Sequence, residues 1–392
     1  MGFNEIEQNQ WLWQSPNWPE FRWDQQRLSP LLRHAYDHIG QLKGRMAMVE
    51  GVEAFTLDAM LANIVASSAI ESEKVDVYGV RSSLARQLGI NDQNPVKISE
   101  QSEGLASLMR DAVTAWQQPL SLNVLLQWHC WLFQGYTSLM QKVTPGELRG
   151  EAPMQIVSGP LQSPKVHFEA PPRAIIDQEL EQFIRWFNSS QQSDLDPIVR
   201  AGIAHLWFVT IHPFEDGNGR ITRALTDRAL AQADQSSIRM FAMSEAILEH
   251  RKAYYDVLER TQKLGVNQQP DITEWLVWFV KTLVLSVEMA LARIERTVVK
   301  TKFWARHNDL PLLEPQRKVL NRLLEGDFQD GINATQYQRV AKVSKATATR
   351  HLSDLLAQGV LEKLPGGGRS TRYRVLRRDF SMLLVSPRRT RK

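Results

Sequence analysis

The chain has 392 residues, enough for two or three domains, and its 43% hydrophobic and 23% charged content is that of a soluble globular protein. That composition excludes a mostly disordered chain and a collagen-like repeat, and the single cysteine, Cys130, excludes a disulfide scaffold. The net charge of +4 conceals an asymmetry: Asn333 to Lys392 carries fourteen basic and three acidic residues, a net of +11, so the rest of the chain is net acidic.

A basic end on an acidic body points to a polyanion-binding module joined to a different one. Met1 to Ile6 lacks the basic region and apolar run of a secretory leader. The most apolar stretch, Trp275 to Leu291, is interrupted by Lys281, Ser286 and Glu288. A buried helix is expected there rather than a membrane span, and the chain is expected to be cytoplasmic with no membrane partner.

Trp11 to Trp23 sets four tryptophans around Pro16 and Pro19. Proline removes a backbone donor and clashes with the preceding turn, so this reads as an irregular strap whose indoles pack on the helices that follow. Helical spacing begins with Leu28, Leu31, Leu32, Ala35, Tyr36 and Ile39. A second helix is expected over Phe55 to Lys74 and a short third over Arg81 to Leu88, stopped by Gly89. Helices should follow over Ser99 to Trp116, Ser121 to Phe133, Ala174 to Asn188 and Pro197 to Thr210. The last starts on a good signal, Asp196 as cap and Pro197 at the first position. Between Arg149 and Pro172 the spacing becomes strand-like, with Met154, Ile156 and Val157, then Val166 and Phe168, around Ser158-Gly159-Pro160; a small β-hairpin is expected. Further helices should cover Arg220 to Ala233, Ser244 to Lys263 and Asp271 to Arg296.

The segment that carries chemistry is Ile211-His-Pro-Phe-Glu-Asp-Gly-Asn-Gly-Arg-Ile-Thr-Arg223. An apolar helix ends near Thr210, which holds His212 at the rim of a core. Pro213 stops that helix from running on, and Phe214 can anchor the loop inward. Gly217-Asn218-Gly219 lets the backbone approach a ligand closely, with N–H groups turned inward as an anion nest. A new helix follows, and its N-terminus offers unpaired donors and a positive dipole end. Arg220 and Arg223 project from its first turns, where cations oppose the dipole and call for an anion such as a polyphosphate. Asp216 makes sense as a ligand for Mg²⁺ bridging to phosphate. His212, with an ordinary pKa of about 6.5, can take a hydroxyl proton near neutrality. A base beside a phosphate cradle with a metal ligand is equipment for attack of a hydroxyl on a nucleotide phosphate.

This segment closely resembles the active-site motif of the Fic family: His, any residue, Phe, any residue, Asp or Glu, Gly-Asn-Gly-Arg, two residues, Arg. The resemblance extends over roughly residues 1 to 300. It implies an all-helical core that transfers AMP from ATP to a protein hydroxyl, with release of pyrophosphate. By position, it implies His212 as general base and Asp216 as Mg²⁺ ligand. It further implies Gly217, Asn218 and Gly219 on the α-phosphate and Arg220 and Arg223 on the outer phosphates. The hairpin from Gln155 to Phe168, including Val157, Gly159, Val166 and His167, resembles the family's flap, which aligns the target by strand pairing. Tyr254-Tyr255 resembles a pair lining the adenine pocket, and Gln262 stands where some relatives carry Asn. Ser67-Ser-Ala-Ile-Glu71 puts a hydroxyl and a carboxylate on one helical face. It resembles the family's inhibitory helix, which implies that Glu71 pairs with Arg223 and blocks productive ATP binding. Ser72 departs from the Gly or Asn usual after that glutamate.

Near the end of the chain, Pro315 to Leu324, Ala334 to Ala341 and Lys345 to Gln358 read as helices. Val360 to Leu364 and Thr371 to Val375 read as strands separated by Gly366 to Ser370. Three helices and a hairpin with a basic tip resemble a winged helix-turn-helix domain. That resemblance implies DNA contact through Ser344, Lys345, Thr347, Thr349 and Arg350 on the third helix and Arg369 on the wing.

The expected architecture is mainly α: a Fic helical fold with a small hairpin flap, plus a C-terminal winged helix. Its parts would be an N-terminal helical region over 1–100, a catalytic domain over 101–300, a winged helix over 312–378 and a basic tail over 379–392. The expected function is a protein adenylyltransferase that uses ATP and Mg²⁺, modifies a Ser, Thr or Tyr hydroxyl of a target protein and itself, and is inhibited by Glu71. The alternatives are a DNA-binding regulator that only senses nucleotide, or an enzyme that both adds and removes AMP. A homodimer is left open.

Overall fold

The computed structural model describes residues 11–49, 51–92, 95–136, 143–159, 164–236, 240–264, 269–328, 330–365 and 371–376. They belong to two compact units, Met1–Ala290 and Leu291–Lys392. Arg369 and the tail 379–392 lie outside the described residues.

In the first unit, the side chain of Asp24 accepts from two backbone N–H groups and starts α1 (Gln25–Met46), whose buried face carries Leu28, Leu32, Ala35, Ile39 and Leu42. α2 (Val52–Ile70) stops short of Lys74, where the sequence suggested it would end. The cause is local: Ser72 takes a left-handed conformation, φ 64°. Its N–H then bonds to the Ala69 carbonyl, and the Glu73 N–H bonds to the Ser68 carbonyl. These two bonds are the closure of a Schellman cap, so Glu71 is the capping residue and not part of another turn.

α3 (Val77–Leu88) runs from an Asp76 cap to Gly89. α4 (Glu100–Thr114) and α5 (Leu122–Leu132) each start on a serine cap, Ser99 and Ser121. β1 (Gln155–Ser158) and β2 (Lys165–Glu169) form an antiparallel hairpin with a register shift between Ile156 and Val157. Because Ile156 pairs with Phe168 and Val157 with Val166, His167 is the extra residue of a bulge. α6 (Arg173–Ser189) precedes α7 (Pro197–Ile211), which is capped by Asp196 and buried along nearly its whole length. α8 (Asn218–Asp234) packs on α7 in the most extensive helix pairing of the unit. It starts two residues earlier than expected, so Asn218 and Gly219 are its first turn and Gly217, at φ 81°, is its cap.

The single helix expected over Ser244 to Lys263 is two, α9 (Met243–Glu249) and α10 (Arg251–Gln262), broken at His250. No Gly or Pro marks the break; the turn lets the Tyr254 hydroxyl meet buried His205, 3.0 Å away. α11 (Thr273–Arg306) runs ten residues past the expected end at Arg296, and the division between the units falls within it. α2 and α11 are long and apolar enough to cross a membrane by composition alone. In α11, however, Trp275, Leu276, Phe279, Val280 and Leu283 are all buried in the core. The strap packs partly on later helices, Trp18 meeting Trp207 of α7 edge-on at 6.0 Å, and partly on the hairpin. Trp11 meets Phe168 edge-on at 5.6 Å and the Trp13 indole donates to the Glu169 carbonyl, both on the hairpin. The Trp18 indole donates to Glu179 on α6.

The second unit contains α12 (Glu314–Glu325), α13 (Ala334–Ala341), α14 (Lys345–Ala357) and an antiparallel pair, β3 (Leu361–Lys363) with β4 (Tyr373–Val375). Its core is built on Val319, Leu320, Ile332, Tyr337, Ala348, Leu352 and Leu355. Ile332 adds a bridge to Tyr373, giving the small sheet a third edge.

Two histidines of the first unit are fully enclosed, His129 and His205, each 0% exposed. His129 accepts from the Gly146 N–H at 2.8 Å and donates to the Asp216 carbonyl at 3.3 Å, which requires the neutral ring. Burial lowers its pKa to about 4 and that of His205 to about 3. Above pH 6.5 both are neutral folded or unfolded; as pH falls below 6.5, only the unfolded chain takes up their protons. Stability should therefore fall as pH drops from about 6 to 5, by at most about 1.4 kcal/mol per pH unit for each such group. Thermal melts across that range would check it, and a melting temperature that stays level from pH 6.5 to 5 would contradict it.

Candidate active site between the hairpin and the α7–α8 turn

α7 ends where His212 turns left-handed, φ 52° and ψ 58°, which swings the chain out of the helix at the edge of the core. The His212 Nδ1 lies 3.1 Å from the Val209 carbonyl oxygen. A carbonyl only accepts, so Nδ1 carries the proton and Nε2 keeps its lone pair. Burial holds the ring's pKa down at about 4, with the Val209 bond opposing. At neutral pH the group is thus an unprotonated base.

The loop after His212 is fixed from several sides. Arg149 donates from Nε to the His212 carbonyl at 2.8 Å and from Nη2 to the Pro171 carbonyl, and its backbone N–H bonds to Pro213. The His129 ring stacks on Phe214 at 4.3 Å. Asn218 accepts from the Phe214 N–H at 2.9 Å and donates to the Phe214 carbonyl at 2.7 Å. One donor and one acceptor site of its amide hold the loop, and its backbone N–H stands in the first turn of α8. The N–H groups of α8's first turn point out of the helix N-terminus, a ready anion site.

His212, Asp216, Gly217, Asn218 and Gly219 line a cavity of about 650 Å³ with Tyr254, Tyr255, Gln262, Glu71, Val157 and His167. The sequence-predicted residues are therefore brought together, with three differences. Val166 faces away, packing with Trp11 and Phe168 under the strap. Gly159 supplies the left-handed turn at the hairpin tip, φ 93°, next to residues outside the description. Arg220 and Arg223 do not line the cavity but are buried behind it.

The guanidinium of Arg223 donates from Nε to the Ser67 hydroxyl at 2.8 Å and from Nη2 to the Ser67 carbonyl at 3.0 Å. Nη2 also pairs with Glu71 Oε1 at 2.8 Å, leaving Nη1 buried with no hydrogen-bond partner. Arg223 keeps the Glu71 carboxyl below its usual range, against the opposing effect of burial. Glu71 Oε2 lies 3.4 Å from the Tyr255 hydroxyl, and a side chain at Gly219 would collide with Oε1. Arg220 is ion-paired to Glu73, lies over the Phe133 ring at 5.3 Å and reaches Asp216 only at 3.8 Å. Its Nε and Nη2 make no hydrogen bond.

Asp216 is the group suited to a hard divalent cation. Its side chain is 56% exposed at the cavity, and one oxygen accepts from the Gly217 N–H at 2.5 Å while the other is held only loosely by Arg220. A single carboxylate that leaves room for waters and phosphate oxygens fits Mg²⁺.

Several participants carried no signal in the sequence: Glu73, Arg149, His129, Ser158 and Glu259. The last two complete a chain across the cavity wall. Ser158 Oγ is 2.5 Å from His167 Nε2, and His167 Nδ1 is 2.7 Å from Glu259 Oε2, which also takes Lys263 through its other oxygen. This anchors the hairpin to α10, and the bulge at His167 aims the ring there. On α14, Ser344 caps the helix by accepting from the Thr347 N–H at 3.1 Å, and Lys345, Thr349 and Arg350 are exposed.

Residues 119–230 match the Fic/DOC family, and residues 11–90 match a domain of unknown function (DUF4172). Over 54 residues the chain is 46% identical to Protein adenylyltransferase Fic of Drosophila sechellia, a stretch that is 14% of this chain and 11% of that protein. The Protein adenylyltransferase Fic of Aedes aegypti is 36% identical over 80 residues, 20% of this chain and 15% of that protein. The matched stretches thus span well under a fifth of those relatives' length. A Fic family protein of known structure from Desulfovibrio desulfuricans G20 shares the fold, with a TM-score of 0.52 at 18% identity over 91% of this chain and 97% of that one. The segment that matches the Fic/DOC family, 119–230, includes the whole His212-to-Arg223 motif.

Proposed function

We propose that the chain is a protein adenylyltransferase held in check by its own Glu71. The observation that carries the reading is the Glu71–Arg223 pair, formed beside a histidine whose Nε2 is left unprotonated. The name of the insect relatives, Protein adenylyltransferase Fic, supports the reaction class.

In this reading a target protein lies along the free edge of β1, beside Val157 at the cavity. Its side-chain hydroxyl gives a proton to His212 Nε2 as its oxygen bonds to the α-phosphorus of ATP. The bond from that phosphorus to the bridging oxygen breaks, and pyrophosphate leaves. The first-turn N–H groups of α8 hold the α-phosphate oxygens. Asp216 would hold Mg²⁺, which supplies charge neutralisation across the phosphates when bound. Tyr254, Tyr255 and Gln262 enclose the base. Arg220 and Arg223 serve the outer phosphates with the donors that now lack partners, which requires Arg223 to leave Glu71.

Breaking a buried pair by removing one partner costs about 3–5 kcal/mol, and less where, as here, one partner is partly exposed. Glu71→Gly is therefore expected to raise AMP incorporation by about 10- to 100-fold, and His212→Ala on top of it to abolish incorporation. Labelled ATP with Mg²⁺ and mass spectrometry of modified peptides would measure both. Equal labelling of wild type and Glu71→Gly would remove the inhibition, and labelling that survives His212→Ala would remove the base.

Ser72 sets how well the blocking residue is held. A non-glycine residue in the left-handed region costs about 1 kcal/mol, less for asparagine. Ser72→Asn is expected to tighten the cap and lower basal incorporation about fivefold. Unchanged basal activity would show that the α2 cap does not govern Arg223.

For the second unit we infer a winged helix that binds DNA, on the observation that α14 presents Lys345, Thr349 and Arg350 to solvent while Ala348, Leu352 and Leu355 fill the core. Replacing both Lys345 and Arg350 by alanine is expected to reduce the slope of log affinity against log salt by about 2. Gel shifts at several salt concentrations would test this; an unaltered slope would take α14 out of the interface.

A further inference from the structure

We propose that His34, His38 and Glu288 form a binding site for a divalent transition-metal ion of the zinc class, which ties α1 to α11. His34 and His38 are four residues apart on α1, so their rings share one face of the helix, with centroids 4.1 Å apart. Glu288 reaches them from α11, its Oε1 3.5 Å from His38 Nε2. One ligand atom from each of the three residues lies within 4.8 Å of the others. A tetrahedral ion with arms of about 2.0–2.2 Å sets its ligand atoms about 3.3–3.6 Å apart. The Glu288–His38 edge already has that length, and His34, an exposed side chain, closes the other two by rotating.

The protonation pattern points the same way. His38 Nδ1 lies 2.9 Å from the His34 carbonyl oxygen, which can only accept, so Nδ1 carries the proton. In the neutral ring, Nε2 then turns a lone pair toward a carboxylate oxygen, two acceptors facing each other. A proton or a metal cation between them resolves the conflict. The second imidazole at the same spot adds a third donor atom for a metal. The bond from Nδ1 to a backbone carbonyl is also the outer-shell support that metal-binding histidines use. Two imidazoles and one carboxylate suit Zn²⁺, Co²⁺, Ni²⁺ or Cu²⁺, whereas Mg²⁺ and Ca²⁺ prefer oxygen donors.

The location gives such an ion a structural purpose. α1 and α11 run side by side in the same direction. The Asp24 N–H bonds to the Thr273 hydroxyl at 2.9 Å, Arg27 pairs with Glu274 at 2.7 Å, and His38 meets Glu288 further along. The Arg27–Glu274 pair is exposed and such pairs stabilise little, so a metal bond here would be the strong tie. None of the three ligands lines the cavity that holds His212, so this inference is independent of the adenylyltransferase reading.

The experiment is a titration of metal-free full-length chain with Zn²⁺, and separately Co²⁺, without nucleotide or Mg²⁺, followed by calorimetry, thermal melting and Co²⁺ absorption. One equivalent should bind with a micromolar or tighter Kd and raise the melting temperature. His34→Ala and Glu288→Gln, both at exposed positions, should each weaken binding at least about tenfold and remove the rise in melting temperature. His38→Ala should do the same, read against its own metal-free melt. Undiminished one-equivalent binding by the His34→Ala/Glu288→Gln double variant would place the ion elsewhere and overturn the proposal. So would the lack of saturable binding below millimolar metal.

Discussion

The organisation of the first unit turns on one buried cation. Arg223 is 3% exposed, within the first two turns of α8, and a guanidinium there cannot stand without an anion. Its position near the helix N-terminus adds to the demand, because the dipole repels it. The chain meets the demand from α2: the Ser67 hydroxyl and carbonyl and the Glu71 carboxylate take three of its donors. The early end of α2 at the left-handed Ser72 leaves that carboxylate on the cap residue, within reach of the guanidinium. Arg220, three residues earlier, is handled alike through Glu73, the second residue beyond the same cap. One short segment, 67–73, thus neutralises both cations of the motif.

The α7–α8 turn shows how the candidate active-site loop is held without a sheet beneath it. His212 leaves the helix in a left-handed conformation, and Arg149 grips its carbonyl from outside. His129 holds the Asp216 carbonyl and stacks on Phe214, while Asn218 closes a ring with the Phe214 backbone. Each of these bonds goes to backbone, so the loop's course is fixed while the His212 Nε2 and the Asp216 carboxylate stay available at the cavity.

Much of this was legible in the sequence where the cause is local. Asp196 caps α7 as its position before Pro197 suggested, since a short side-chain oxygen satisfies the exposed N–H groups wherever it occurs, whereas the Asp76 cap starts α3 four residues before the expected Arg81. The motif from His212 to Arg223 was readable because its chemistry sits in one contiguous turn. What failed was set at a distance. The break at His250 serves a contact between Tyr254 and His205, and nothing near His250 announces it. Arg149, His129 and Glu259 act on residues 63, 87 and 92 positions away, so spacing could not have nominated them. Trp18 packs on later helices as the sequence suggested, but Trp11 and Trp13 go to Phe168 and the Glu169 carbonyl of the hairpin, a pairing visible only once β2 is in place. Ser72 is an intermediate case: its departure from the family pattern was plain, but its meaning required φ 64°.

The donors that Arg220 and Arg223 leave unused bear on which anion the site is built for. A structural salt bridge at this depth would be expected to satisfy every buried N–H, because each one left unpaired costs about 1–3 kcal/mol. Here Arg223 Nη1 and Arg220 Nε and Nη2 lack partners, while Glu71 and Glu73 each offer a single carboxylate. Two carboxylates cannot saturate two guanidiniums, whereas a triphosphate carries enough oxygens to do so. On the reading proposed above, Glu71 would be a partial substitute for nucleotide, able to hold Arg223 together with Ser67 while leaving Nη1 without a partner. That difference is what would allow nucleotide to compete: the better-matched anion gains the hydrogen bonds that the resident one leaves unmade, at a cost set by how firmly the left-handed cap at Ser72 keeps Glu71 in place.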